Sequence, residues 1–373
     1  MSGEAIDSQR PGEALLICSR KDGMGARLAN LLWTWRLARR AQARTLVFWP
    51  PMDSYYGQAT GSGELLDLFA LATSPLRDEI QVIDGRPADY FSVTPVDLDP
   101  AEPCDPTPLL VRPALMQAKA PAPVIQTAVG PILMADEARD DALAQAQALF
   151  ARLPLRRTIA RHAVKAASRT HDLSSMVAVH VRRGEIIDVL KTACVELTHE
   201  DRQSGSVVDR YTEHFFRCCA PVETYARLMR PYVKKGFRIL FFSDSPEMAE
   251  PFRQWLGDRL ILASDIAPPQ FSGLQRALFE LLIMSRCPTI IGTKSIFGNL
   301  AAVIHGANFI DARRHSTPDE FVGAFRRAVG FTDLDRDVRA GVSEVLVRKL
   351  NENQFLGLWN AADEDILRIL ETA

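Results

Sequence analysis

Short apolar runs alternate with helical stretches twice along this chain, and a proline-rich segment separates the two series. No other feature constrains the fold as strongly. In the first series ALLICS (residues 14–19) reads as a strand that stops at the turn-rich RKDGMG. A helix follows over about residues 26–41, with Leu28, Leu31, Leu32, Trp35 and Leu37 at helical spacing. TLVFW reads as a second strand ending at Pro50-Pro51, ELLDLFALA as a helix and EIQVID as a third strand. Strand–helix–strand alternation at this spacing predicts a parallel sheet covered by helices.

Residues 87–131 hold ten of the 23 prolines, so this segment is expected to be extended and loop-like. Helical signal returns over residues 135–168, and the alternation then restarts. SMVAVHV, FRILFFSD, RLILAS, TIIGT and ANFID read as strands. Residues 222–235, PEMAEPFRQWL, LQRALFELLIMSRC and IFGNLAAVIH read as the helices between them, with Pro251 a point of interruption. Residues 318–373 read as helices. The expected architecture is α/β, with two Rossmann-like domains whose parallel sheets face each other across a cleft. The expected boundaries are 1–172, 173–330 and a C-terminal helical segment 331–373 packing back on the core. In such sheets ligands bind beyond the carboxyl ends of the strands.

Composition narrows the function classes. A net charge of −2 gives no overall nucleic-acid footprint. Six cysteines without a C-x-x-C pair or metal-type spacing read as reduced thiols. No basic and apolar leader and no run of 18 apolar residues occurs, so the expected location is the cytoplasm, or the inner-membrane surface as a peripheral protein.

Four strand ends carry the candidate chemistry. After the first, Gly23 and Gly25 would allow a tight turn and the close approach of a ligand to a helix N-terminus. A dinucleotide fingerprint would want glycine where Leu28 stands, and no acid closes the second strand, which disfavours NAD. In VAVHVRRGE, alternation puts Met176, Ala178, His180 and Arg182 on one face. Arg182 and Arg183 could bind phosphate through paired charge-assisted hydrogen bonds, or form an interdomain salt bridge. In FFSDSPE, Ser245-Pro246-Glu247 is a helix start, and Asp244 could accept hydrogen bonds from the N–H groups of a base. In TIIGTKSIFG, Thr293, Lys294 and Ser295 lie where hydroxyls and helix N–H groups can hold a phosphate, or where Ser295 is a plain cap. Asp97-Leu98-Asp99 and Asp333-Leu334-Asp335 spell D-x-D, but neither closes an apolar strand, and no metal site is expected from them.

The order of these strand ends resembles the fucosyltransferase superfamily that includes the α-1,6 nodulation-factor enzymes, the α-1,2 enzymes and protein O-fucosyltransferases. DGMGARLANLLWTWRLARRAQARTLVFW is similar to the family's N-terminal glycine-turn helix and strand, HVRRGE to its His-x-Arg motif, and FFSDSPE with LFELLIMSRCPTIIGTKSIFGNLA to its later donor-site motifs. The resemblance implies a GT-B-type fold and GDP-fucose as donor substrate, with no metal cofactor. Carried over, it puts Arg182 on the donor's β-phosphate, His180 near the nucleotide, Asp244 at guanine, and Ser295 and Phe297 at the diphosphate. The chain departs from the family at Gly298, where many relatives have a hydroxyl residue, and at Glu185, where many have aspartate. Residues 186–220 match nothing in the family and suggest an acceptor-binding insertion.

The implied reaction is metal-independent transfer of fucose with inversion. Arg182 would stabilise the charge that develops on the departing diphosphate. Asp22 and Glu185 are the candidate general bases. The acceptor would be a glycan, or a lipid-linked or peptide hydroxyl. Transfer of another nucleotide-linked sugar, or binding without turnover, are the competing readings.

Overall fold

Among the described residues ten strands form two five-stranded sheets, and every pairing between these strands is parallel. The computed structural model describes residues 14–20, 23–50, 63–83, 85–99, 102–112, 121–126, 132–167, 172–182, 219–244, 246–293 and 295–329. The strands are β1 (Leu15–Ser19), β2 (Arg44–Phe48), β3 (Ile80–Ile83), β4 (Ser92–Val96), β5 (Pro121–Ile125), β6 (Met176–Val181), β7 (Arg238–Ser243), β8 (Leu260–Leu262), β9 (Thr289–Gly292) and β10 (Asn308–Asp311). The α-helices among the described residues are α1 (Met24–Arg40), α2 (Gly63–Leu68), α3 (Arg139–Arg152), α4 (Arg157–Lys165), α5 (Val222–Lys234), α6 (Glu250–Leu256), α7 (Ala263–Ile266), α8 (Gly273–Ser285), α9 (Ile296–His305) and α10 (Pro318–Val329). The α/β architecture read from the alternation is therefore the observed one.

The chain divides into two compact units, Met1–His171 with Ala267–Arg286 and Asn299–Ala307, and Asp172–Ile266 with Cys287–Gly298 and Asn308–Ala373. The first unit holds the sheet β3-β2-β1-β5-β4. Leu15, Ile17, Leu46, Phe48, Val124 and Ile83 pack as one core across it. Helix α1 is buried from Met24 through Ala38, polar positions included. Several of its interior donors are answered: the Asn30 amide donates to the Ile125 carbonyl at 3.0 Å, and Arg36 pairs with Glu137 and the Ile132 carbonyl. Trp35 donates its indole N–H to Glu79 at 2.9 Å. Helix α8 belongs to this unit, packing on α4 and α2. Ser272 and Gln275 form its capping box, each side chain accepting the other's backbone N–H.

The expectation of a strandless proline segment is corrected: β4 and β5 both lie in it, and β5 is an interior strand. The hydrogen-bond pattern explains how prolines fit there. Gln126 N–H donates to the Val96 carbonyl, so alternation turns the nitrogens of Pro121 and Pro123 away from β4, toward β1. On that side register with β1 begins only at Val124, whereas β4 pairs along all five residues. Leu15 of β1 instead exchanges both backbone hydrogen bonds with Val111, at 2.8 Å each. The prolines thus remove donors only where the ladder does not run.

The second unit holds the sheet β10-β9-β6-β7-β8, with β6 at its centre. Val177, Val179 and Val181 of β6 pack on one side with Ile239, Phe241, Tyr225, Met229 and Phe252. Pro251 begins α6 rather than interrupting it, because its missing N–H falls in the first turn, after the 3-10 turn Pro246–Ala249. Gly236, at φ +90, closes α5 and returns the chain into β7.

Candidate functional site

The strand order of the second unit creates one distinctive place. From β6 the chain steps outward to β7 and β8, then returns to the other flank of β6 as β9 and β10. The carboxyl ends of β6 and β9 are therefore the point where connections leave in opposite directions, which is where ligands enter open α/β sheets. His180, Val181 and Arg182 stand at the end of β6, and Thr293 and Ser295 follow β9 immediately before α9.

His180 lies on the face opposite the valines, as alternation requires. It is 8% exposed. Its carbonyl accepts a hydrogen bond from the Tyr225 hydroxyl at 3.2 Å. The Phe297 ring sits 5.5 Å away, centroid to centroid, and tilted by 35°. Nδ1 is buried and has no hydrogen-bond partner among the described residues. Burial pushes the imidazole down to about 4; Asp244 opposes this and Arg182 adds to it. The ring is consequently neutral near pH 7, and both charges act on it from the strand ends.

Arg182 is partly buried, and its carbonyl accepts the Cys219 thiol at 3.3 Å. Asp244 follows β7 and is exposed. Register pairs Val181 with Ser243, so Arg182 and Asp244 leave adjacent strands at the same level. Thr293 and Ser295 are buried, and Ser295 N–H folds back to the Thr293 carbonyl at 2.6 Å, a tight bend that delivers the chain into α9. Helix α9 has ten residues, and its N-terminal N–H groups open at this bend. His180, Arg182, Asp244, Ser295 and Phe297, named separately from the sequence, are thus gathered at neighbouring strand ends of one unit.

The remaining sequence candidates fall elsewhere. Arg183, Glu185, Asp22 and Lys294 lie outside the described residues, as do Asp333, Asp335 and nearly all of the 186–220 segment. Gly23 and Gly25 belong to the first unit, and the two-glycine turn expected there is corrected. Gly25 is already inside α1, and Gly23 sits at φ −58 and ψ 162, a conformation open to any residue. An added Cβ at Gly23 would meet nothing within 4 Å. Asp97 and Asp99 follow β4, both exposed. Among the described residues no group of acids, histidines and cysteines is arranged to hold a metal, and no helix is long and apolar enough to cross a membrane.

Sequence reasoning passed over Phe309, and met Gly298 only as a departure from the family. A Cβ on Gly298 would stand 3.3 Å from His180 Nδ1 and 3.4 Å from Phe309, and one on Gly292 would stand 3.4 Å from the same Phe309 ring. A signal for packing at Gly298 was present: a glycine inside IFGNLAAVIH weakens a helix unless packing requires it.

No family model matches the sequence, and no curated protein matches it. Solved structures do match. The crystal structure of NodZ α-1,6-fucosyltransferase soaked with GDP-fucose is 17% identical, with 78% of this chain and 92% of that chain covered and a TM-score of 0.44. Fucosyltransferase NodZ from Bradyrhizobium is 16% identical over 78% and 92% of the two chains, with a TM-score of 0.42. POFUT1 in complex with GDP-fucose is 11% identical over 82% and 99%, with a TM-score of 0.45. The chain is thus similar to fucosyltransferase structures over most of its length.

Proposed function

We propose that this protein is an inverting, metal-independent glycosyltransferase that transfers fucose from GDP-fucose to a hydroxyl acceptor. The observation that carries the proposal is the convergence at the β6–β9 crevice: Arg182 on one strand end, and Ser295 with the N-terminus of α9 on the other. A guanidinium and a helix N-terminus are both well suited to hold a diphosphate. Asp244, exposed at the adjacent strand end, suits the N–H groups of guanine. The choice of fucose and guanine over other donors rests on the motif resemblance read from the sequence.

Transfer breaks the bond between the anomeric carbon and the β-phosphate oxygen while the acceptor oxygen bonds to that carbon. The electron pair stays on the diphosphate, and the acceptor proton passes to a base. Arg182 acts where the new charge develops, so its contribution is greater in the transition state than in the ground state. Its fixed positive charge performs the neutralisation that a divalent cation performs elsewhere. Asp22 and Glu185 are the proposed bases, and Arg183 a second phosphate contact. Gly23 and Gly25, at the start of α1, are proposed to leave room for the ligand. We place the enzyme in the cytoplasm, with a glycan, lipid-linked or peptide hydroxyl as acceptor.

A thermal-shift panel with GDP, UDP, CDP and NAD, with and without EDTA, tests this reading on the wild type and Arg182→Ala. A ligand at a hundred times its Kd stabilises by about 2.7 kcal/mol, so selectivity is readily visible. A GDP-selective shift that survives EDTA and is lost in Arg182→Ala is expected. A UDP-selective shift would discard fucose, and no shift with any nucleotide would overturn the donor site. Hydrolysis of GDP-fucose without acceptor separates an enzyme from a protein that only binds it.

A further inference from the structure

The bare edge of His180 has a consequence for what the ring can do. Nδ1 lies 3.3 Å from where a Cβ on Gly298, the third residue of α9, would stand, and is buried there without a partner among the described residues. Phe309 lies against the same glycine, 3.4 Å from where a Cβ would stand. A Cβ there would crowd both neighbours. The Phe297 ring and the Tyr225 hydroxyl restrain the imidazole and its backbone. A neutral imidazole has one N–H, and a buried donor without an acceptor is the rarer fault in folded proteins.

We propose that Gly298 is a positioning residue for His180, whose missing side chain lets Nδ1 lie unprotonated against α9, so that the ring presents Nε2–H as a hydrogen-bond donor to an anionic oxygen of the bound ligand. In an imidazole the two nitrogens point in widely divergent directions, so Nε2–H is directed away from Gly298. A hydroxyl side chain at position 298 could touch a phosphate itself; here the same space belongs to a histidine edge, and the histidine supplies the donor. The identity of the ligand oxygen as a diphosphate rests on the function proposed above, whereas the tautomer and its dependence on Gly298 do not. Among the described residues the charged groups that act on the ring are Arg182 and Asp244, and burial dominates both, so the ring stays neutral across the range tested below.

Long-range 1H–15N correlation on histidine-labelled protein reads the tautomer directly, with His180→Gln supplying the assignment. The wild type should show His180 with unprotonated Nδ1 and protonated Nε2 from pH 5.5 to 8, and GDP or inorganic diphosphate should move the Nε2 resonance. In Gly298→Ala a contact of 3.3 Å forces the ring to give by a few tenths of an ångström. Both His180 resonances should then shift, and GDP should bind several-fold more weakly. A protonated Nδ1, an imidazolium at pH 5.5 or above, or unaltered resonances in Gly298→Ala would overturn the proposal. So would GDP binding that leaves Nε2 unmoved, even with the nucleotide site intact. If no nucleotide binds, the donor-site reading fails, and the wild-type tautomer still decides the positioning role.

Discussion

Burial decides what single residues can do in this protein. Burial pushes the thiols of Cys18 and Cys287 up to about 12, and raises the half-buried Cys104 as well. A thiol reacts as thiolate, so Cys18 and Cys287 are inert in the folded state and carry no catalysis. Maleimide labelling at pH 8, read peptide by peptide, should modify Cys104 ahead of both, and should reach Cys18 and Cys287 only after denaturation. Native labelling of Cys18 at the rate of Cys104 would contradict this. The same dependence on surroundings limits what a sequence discloses at this scale. His180 and Arg182 were legible because alternation in a short strand fixes their face and their nearness to its end. The role of Gly298 was not, because it lies in contacts with His180 and Phe309, which arrive on other strands.

Among elements, α1 and β5 show where pattern suffices and where it stops. Leucines and tryptophans at helical spacing mark α1, yet that spacing suggests one apolar face, and the helix is buried on all sides. The partners that make this tolerable, Glu137, Ile132 and Ile125, are remote in sequence, and nothing local announces them. Arg36 and Glu137 are 1% and 4% exposed, so neither charge reaches water. Removing one partner of such a pair leaves a buried charge and costs about 3–5 kcal/mol, whereas replacing both with apolar groups of similar volume is often close to neutral. Arg36→Ala should therefore lower the urea midpoint sharply, and Arg36→Met with Glu137→Leu should recover most of that loss. A double variant no better than the single would mean that the Ile132 carbonyl, not the ion pair, is the dominant partner. Strand β5 escaped notice for the opposite reason. Its prolines signal a loop, and only the one-sided ladder described above reconciles them with an interior strand.

At the scale of the whole molecule, two ionisable groups, one buried and one partly buried, each in its own unit, set opposing pH dependences. Glu280 on α8 of the first unit is partly buried, and desolvation lifts its carboxyl to about 7 against the pull of Arg276. Its folded value is raised, so the stability it contributes is complete below pH 4.5 and is lost as pH rises through 7. His180 in the second unit has a lowered folded value, so its contribution is complete above pH 6.5 and is lost as pH falls toward 4. Each displacement corresponds to about 3 kcal/mol between its limits. In the window between pH 4.5 and 6.5 the two slopes have opposite sign and largely offset each other in the summed stability. Single substitutions should uncover them. Glu280→Gln should be more stable than the wild type at pH 8 and should lose that advantage by pH 4.5. His180→Gln should gain on the wild type as the solution is acidified from pH 7 to 4.5. Asp105, Asp172 and Glu320, whose partners hold them below the usual carboxylate range, titrate alike in all three proteins and cancel in the differences. Urea midpoints across pH 4.5 to 8 measure both differences. Parallel curves for a variant and the wild type would show that its substituted group carries the same charge folded and unfolded, and that its burial in the native state is relieved by water.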